Sequence, residues 1–221
     1  MSTSSELIVK ICGLSTPPTL LAALDAGADM VGFVFFVKSP RNIDLSAAAD
    51  LGRRVEGRAR KVALVVDADD GQLGEIVRHL APDFLQLHGR ETPERVAAIK
   101  ARFGLPVIKA IAIAQASDLV AARRYDDIAD ILLFDAKPAP DAAAPGGNGL
   151  AFDWKLLGGH QIATPWLLSG GLDVGNVAEA LRLTRAPGID VSSGVESAPG
   201  IKDTALIAAF VAAARRATEV A

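Results

Sequence analysis

The chain has 221 residues, of which 50% are hydrophobic and 22% charged, with a net charge of −3 and a single cysteine. This composition excludes a disordered chain and a disulfide framework, and it argues against a broad nucleic-acid-binding face or a basic membrane patch. No apolar run approaches the roughly 20 residues that span a bilayer, and residues 1–6 lack a signal-like pattern, so we expect a cytoplasmic protein.

Short apolar runs alternate with helical patterns along the chain. Eight strands are predicted at residues 7–12, 30–36, 61–66, 84–88, 106–110, 128–134, 166–169 and 189–191. Seven helices are predicted at residues 19–26, 46–55, 71–80, 92–103, 117–123, 174–183 and 203–218, and a short turn at 153–157. Side-chain oxygens that can begin these helices are predicted at Asp70, Thr92, Ser117, Asp173 and Asp203.

The alternation of strands and helices indicates a parallel sheet covered by helices. An open doubly wound sheet and a closed barrel both fit this pattern. Eight strands in this length, without an insertion large enough for a second domain, favour a single α/β domain, a (β/α)8 TIM barrel over residues 1–221. The Pro-, Ala- and Gly-rich segment 138–149 is predicted to be a long loop, and a mobile lid, after strand six.

Polar residues follow the apolar runs, at the strand ends where such barrels carry their chemistry. Two of these segments, after strands seven and eight, are rich in serine and glycine: Ser169, Gly170 and Gly171, then Ser192, Ser193 and Gly194. Glycine lets backbone N–H groups approach an anion, so the pair of segments predicts a phosphate site. The alternative is that the glycines only turn the chain.

Cys12 ends the first strand and is either a small buried hydrophobe or a base at the barrel mouth. If Cys12 points inward, strand alternation turns Lys10 inward too, and Gln86 with His88 on strand four. Lys109 is also expected to point inward, and a buried ammonium near Cys12 would favour its thiolate.

Asp135 shares the inward face of strand six with Leu133. It is either a proton donor desolvated by its apolar neighbours or a carboxylate paired with Lys109 or Lys137, and the sequence leaves both open. Arg41 follows an aromatic-rich strand, so its guanidinium suits an aromatic carboxylate, although a surface arginine fits equally well.

The three histidines are scattered, which predicts no metal site. His79 is expected near a helix C-terminus and His160 in a loop, while His88 lies at the rim, where we expect it to orient another group by hydrogen bonding.

Seven segments, in order, resemble those of the N-(5'-phosphoribosyl)anthranilate isomerase family. They are VKICGL at 9–14, GFVFF at 32–36 with KSPR at 38–41, LQLHG at 85–89, LFD at 133–135, FDW at 152–154, LSGGL at 168–172 with NV at 176–177, and DVSSGVE at 190–196. The resemblance implies the third step of tryptophan biosynthesis, an Amadori rearrangement of a small phosphosugar on one barrel without a cofactor.

The resemblance also implies residue roles. Cys12 corresponds to the general base, Asp135 to the general acid and Arg41 to the group that binds the substrate carboxylate, and the two serine–glycine segments form the phosphate cradle. Supporting roles are expected for Lys10, Gln86, His88 and Asp190. The expected state is a monomer or homodimer, with neither nucleic acid nor membrane as a partner.

Two other classes of protein share a phosphate-binding barrel: other barrel enzymes and barrels that bind a phosphosugar without catalysis. Other phosphate-binding barrel enzymes include the sugar isomerase of histidine biosynthesis and indole-3-glycerol-phosphate synthase. The isomerase would have paired acidic catalytic residues and symmetric halves, but Cys12 is no aspartate and the chain has no half-repeat. A non-catalytic phosphosugar-binding barrel would lack Cys12 or Asp135, and both are present.

Overall fold

Eight parallel strands close into a barrel, in chain order, in the computed structural model of the protein. The structure describes residues 7–137, 146–147, 149, 151–158 and 162–219. The closed ring confirms the (β/α)8 barrel and excludes the open doubly wound sheet. His160 and most of the predicted lid at 138–149 lie outside the described residues.

The strands and helices alternate as the apolar pattern predicts. The strands are β1 (Ile8–Cys12), β2 (Met30–Phe35), β3 (Arg60–Val65), β4 (Phe84–Leu87), β5 (Val107–Ile113), β6 (Ile131–Ala136), β7 (Trp166–Leu168) and β8 (Gly188–Val191), followed by a short antiparallel pair, β9 (Glu196–Ala198) and β10 (Ile201–Lys202). The helices are α1 (Pro17–Asp25), α2 (Leu45–Arg54), α3 (Asp70–Leu80), α4 (Pro93–Phe103), α5 (Ala116–Ala122), α6 (Val177–Thr184) and α7 (Thr204–Glu219). A 3₁₀ turn at Trp154–Leu156 confirms the predicted turn between β6 and β7.

The predicted helix caps are confirmed in part. Thr92 caps α4 as predicted, whereas α3 is capped by Asp69 rather than Asp70. Asp173 accepts hydrogen bonds from the backbone of Gly175 and Asn176, which forms a turn first and delays α6 to Val177. Side-chain bonds to nearby backbone compete with helix formation in this way.

Side chains of alternate strand residues pack into two apolar layers. The layer inside the barrel is formed by Met30, Val62, Ile108, Ala110, Ile131, Leu133 and Leu167. A larger layer packs between the outside of the barrel and the helices. The inner layer fills the lower part of the barrel, and at the carboxyl end a smaller apolar cluster, which includes Val34 and Leu64, lies beside polar side chains.

Lys109 does not point inward, and the expectation that it does is wrong. Strand β5 continues to Ile113, so Lys109 lies within the strand rather than at its end. Its neighbours Ile108 and Ala110 fill the interior, and alternation therefore turns Lys109 toward the helices. There its Nζ lies 2.8 Å from Glu91 Oε2 and donates to the carbonyls of the loop after β4.

A candidate active site at the carboxyl end of the barrel

A pocket of about 750 Å³, measured with its open mouth, lies at the carboxyl end of the strands. It is lined by Cys12, Arg41, His88 and Asp135, by Ser169–Gly171 and by Asp190–Ser193, and its apolar wall includes Val34, Phe36, Leu64 and Val66. The pocket thus brings together most of the site residues predicted from the sequence. Lys10 and Gln86 are fully buried beneath it.

The absence of a side chain on Gly32 makes room for Cys12. Gly32 is the β2 partner of Cys12, and a Cβ there would stand 2.9 Å from Cys12 Sγ and 3.3 Å from Lys10 Nζ. Real Cβ atoms do not approach a neighbour as closely as 2.9 Å, so an alanine would displace the thiol or the ammonium. Gly32, the first residue of the GFVFF motif in β2, therefore makes the space that Cys12 occupies at the end of β1.

Lys10 and Asp190 form a buried ion pair beside the thiol. Lys10 Nζ donates to Asp190 Oδ1 at 2.7 Å, and the Ser169 hydroxyl donates to Asp190 Oδ2 at 3.4 Å. Burial lowers the pKa of Lys10, but attraction to Asp190 and Cys12 outweighs it, so the net shift is upward. The ammonium is therefore firmly charged.

Burial raises the pKa of the Cys12 thiol above its ordinary value. Attraction to Lys10 opposes this shift, but Asp190 adds to it and burial prevails. The ammonium that faces Cys12 is thus that of Lys10 and not that of Lys109. It stabilises the Cys12 thiolate less than the sequence suggests, because the negative charge of Asp190 offsets part of its attraction. The thiol of the free protein is protonated at neutral pH.

Asp135 is held by His88, and not by Lys109 or Lys137. Its Oδ2 lies 3.2 Å from His88 Nε2, and its Oδ1 accepts from the backbone N–H of Ala136. His88 Nδ1 lies 3.1 Å from the amide nitrogen of Gln86. That amide nitrogen can only donate, so Nδ1 accepts and Nε2 carries the proton that faces Asp135. Gln86 therefore fixes the tautomer of His88.

Arg41 is buried and its guanidinium is already engaged on one edge. Nε and Nη2 lie 2.7 and 2.8 Å from the two carboxylate oxygens of Glu196, and Nη2 also donates to the Gly147 carbonyl at 3.1 Å. The surface-arginine alternative is therefore wrong. An incoming carboxylate would meet the remaining edge, where Nη1 lies and Gly147 packs.

Glu196 and Lys202 are parts of the site that the sequence analysis did not single out. Lys202 Nζ donates to Glu196 Oε1 at 2.6 Å and to the carbonyl and hydroxyl of Ser192 at 2.8 and 3.1 Å. Glu196 ends the DVSSGVE motif, so its position in that motif was an available signal. Lys202 is brought to the site by the β9–β10 pair, which the apolar pattern did not predict.

The two serine–glycine segments border the pocket side by side. A Cβ on Gly194 would collide with the carbonyl oxygen of Leu172, which follows the first segment. The second segment begins a 3₁₀ turn at Ser193–Val195. The missing side chain thus lets the two segments pack against each other, as a shared anion site requires.

A metal-binding cluster and a membrane-spanning helix are both absent from the residues that the structure describes. No three His, Cys, Asp or Glu side chains in these ranges are arranged to hold a metal ion. None of the helices over these residues has the length and hydropathy needed to cross a membrane.

Comparison with known proteins gives one consistent result. Residues 9–213 match the family model of N-(5'phosphoribosyl)anthranilate (PRA) isomerase. The chain is 58% identical over 215 residues to the N-(5'-phosphoribosyl)anthranilate isomerase of Bradyrhizobium sp. strain BTAi1. The matched residues make up 97% of this chain and 98% of that protein.

Solved structures agree. The crystal structure of phosphoribosyl anthranilate isomerase from Thermotoga maritima is 32% identical, with a TM-score of 0.85 over 95% of this chain and 99% of that one. A structure of such an isomerase in complex with reduced 1-(o-carboxyphenylamino)-1-deoxyribulose 5-phosphate is 30% identical, with a TM-score of 0.80 over 95% and 99%.

Proposed function

Because the chain belongs to the N-(5'-phosphoribosyl)anthranilate isomerase family, we propose that Cys12 and Asp135 perform the two proton transfers of its reaction. The enzyme converts N-(5'-phosphoribosyl)anthranilate into 1-(2-carboxyphenylamino)-1-deoxyribulose 5-phosphate in tryptophan biosynthesis. The observation that carries the assignment of roles is that Cys12, on β1, and Asp135, on β6, line one pocket. A sugar in this pocket can meet a base and an acid at once.

The first step is protonation of the furanose ring oxygen by Asp135, which opens the ring to a protonated Schiff base. For this the His88–Asp135 pair must hold one proton more than a neutral imidazole and a carboxylate. His88 Nδ1 faces an amide N–H of Gln86, so a proton there would meet another donor. Asp135 is therefore the member of the pair that we assign as the proton donor to the substrate.

The second step is removal of the C2 proton by the Cys12 thiolate. The positive charge of the Schiff base makes this proton acidic, so a modest base suffices. It also favours the thiolate of Cys12, which burial disfavours in the free protein. Cys12 becomes a thiol, and the resulting enolamine tautomerises to the ketone.

Both anionic ends of the substrate have a complementary place in the pocket. Arg41 binds the carboxylate of the anthranilate ring, and the segments Ser169–Gly171 and Ser192–Gly194 bind the phosphate. Phe36 and Leu64 lie in the wall on which an aromatic ring can pack. Anchoring at two ends holds the sugar near Cys12 and Asp135. A monomeric or homodimeric state stays a prediction for sedimentation to test.

The test follows the loss of anthranilate-type fluorescence when the protein is added to fresh N-(5'-phosphoribosyl)anthranilate. Cys12→Ala and Asp135→Asn should each lower kcat about 10²- to 10⁴-fold, the usual contribution of a general acid or base, while the reduced product analogue still binds. Asp44→Asn is the matched control, because Asp44 caps α2 away from the pocket and asparagine is an equally good cap. A rise in KM with unchanged kcat would contradict the assigned roles.

A further inference from the structure

Three charged side chains, Arg41, Glu196 and Lys202, form a buried cluster at one side of the pocket. The Arg41 and Lys202 side chains are 8% and 1% exposed, and that of Glu196 is 4% exposed. Both cations bond to Glu196 Oε1, at 2.7 and 2.6 Å. The carboxylate therefore serves two cations at once.

The cluster carries one net positive charge. Lys202 donates to three acceptors, two on Ser192 and one on Glu196, which uses all three hydrogens of an ammonium. Over the ranges that the structure describes, neither Arg41 nor Lys202 has a second carboxylate within ion-pair distance. An unbalanced buried charge is costly, and a bound anion would offset it.

Glu196 alone would work against anion binding. Its bidentate contact orients Arg41, but a carboxylate at 2.7 Å also cancels most of the field that the guanidinium presents to the pocket. Lys202 reverses this effect because its ammonium, bonded to Oε1, balances the charge of Glu196. Arg41 then keeps both a fixed orientation and a net positive field.

We propose that Lys202 is a positioning and specificity residue for the substrate carboxylate, acting through Glu196 on Arg41. The proposal rests on the assignment of Arg41 as the group that binds this carboxylate. Lys202 itself is held by Ser192 and Glu196 and does not line the pocket. It therefore does not contact the substrate, and because its charge also opposes the raised pKa of Cys12, binding rather than kcat isolates its effect on Arg41.

The test crosses a change in the protein with a change in the ligand. Two ligands are titrated by calorimetry: the reduced product analogue, and the same molecule with a phenyl ring in place of the carboxyphenyl ring. Lys202→Met should lower the affinity for the carboxylated ligand by about tenfold or more, the effect of losing one nearby buried charge. It should lower the affinity for the ligand with the uncharged ring by less than about twofold.

Lys109→Met is the matched control. Lys109 is as deeply buried as Lys202 and is also paired with a glutamate, Glu91 at 2.8 Å, but it lies on the helix side of the barrel. Lys109→Met should lower the affinity for both ligands equally, or leave both unchanged. Lys202→Gln provides a second variant if Lys202→Met fails to fold, because it keeps a donor toward Ser192 without the charge, and the same loss is expected.

Three results would separate the possibilities. Equal weakening of both ligands by Lys202→Met would overturn the proposal, since a purely structural role does not distinguish a carboxylate. Unchanged binding of both ligands to Lys202→Met would also overturn it, while leaving Arg41 as the group that binds the carboxylate. If the unaltered protein binds both ligands equally well, Arg41 does not bind the substrate carboxylate, and both that part of the proposed function and this proposal are wrong.

Discussion

Replacing Lys10 by methionine should move the activity of Cys12 to higher pH. Lys10 Nζ and Cys12 Sγ lie 3.3 and 2.9 Å from one point, the place of a Cβ on Gly32. The charge is therefore no more than about 6 Å from the sulfur, where it stabilises the thiolate by about 3 kcal/mol at an effective dielectric constant of about 20. The pKa of Cys12 is already raised, and Lys10→Met should raise it further because Asp190 remains.

The change should also destabilise the fold, since it leaves Asp190 buried without its partner. Removing one member of a buried pair typically costs about 3–5 kcal/mol. Lys10→Met combined with Asp190→Asn should recover part of this stability, and it should lower the pKa of Cys12 relative to Lys10→Met, because the nearby negative charge is gone. Comparing the two variants separates the effect of nearby charges on the pKa of Cys12 from the effect of an unpaired buried charge on stability.

Two measurements follow this prediction. Because Cys12 is the only cysteine in the chain, thiolate absorbance and alkylation rates report on it alone. The rise of kcat/KM with pH should move upward in Lys10→Met in parallel with the alkylation rate. If the pH profile of Lys10→Met coincides with that of the unaltered protein while the variant remains folded, the assignment of Cys12 as base, or of Lys10 as its main cationic neighbour, is refuted.

Two other predictions concern the phosphate segments and the alkaline limit of stability. Gly194→Ala should raise KM with a smaller effect on kcat, because its Cβ would push the second segment away from Leu172. Gly74→Ala is the matched control, because Gly74 has no positive φ and an added Cβ there meets no atom within 4 Å, and equal KM values in the two variants would contradict the proposed anion site. The raised pKa of Cys12 keeps its proton on the native chain while the unfolded thiol loses its proton near pH 9, so the free energy of unfolding should fall as pH rises above that value. Urea titrations should show a shallower fall for Cys12→Ala, and identical slopes would argue against a raised thiol pKa.

The sequence alone predicted the barrel because the signal was local and repeated. Eight apolar runs spaced by helical patterns, with few insertions, leave little choice of architecture. Period-two alternation also predicted that Lys10, Cys12 and Asp135 share the interior, and the structure places all three there or along the pocket. The motifs at the strand ends carried the family resemblance for the same reason: each is a short contiguous segment.

The error at Lys109 shows where local reasoning failed. The end of an apolar run was taken as the end of β5, but the strand continues to Ile113 because its backbone pairs with β6 as far as Ala136. The direction of Lys109 follows from register instead: Ile108 pairs with Gln86 of β4 and faces the interior, so Lys109 faces the helices, and pairing between strands is a long-range property that one apolar run does not determine.

The sequence by itself determined the order of strands and helices, the inward faces of β1, β4 and β6 and the residues available at the barrel mouth. Only the tertiary structure decided how their charges combine. It paired Lys10 with Asp190 across 180 positions of the chain and Arg41 with Glu196 across 155. Because a pKa or an ion site depends on distances of a few ångströms and on exclusion of water, these properties arise only once the barrel closes.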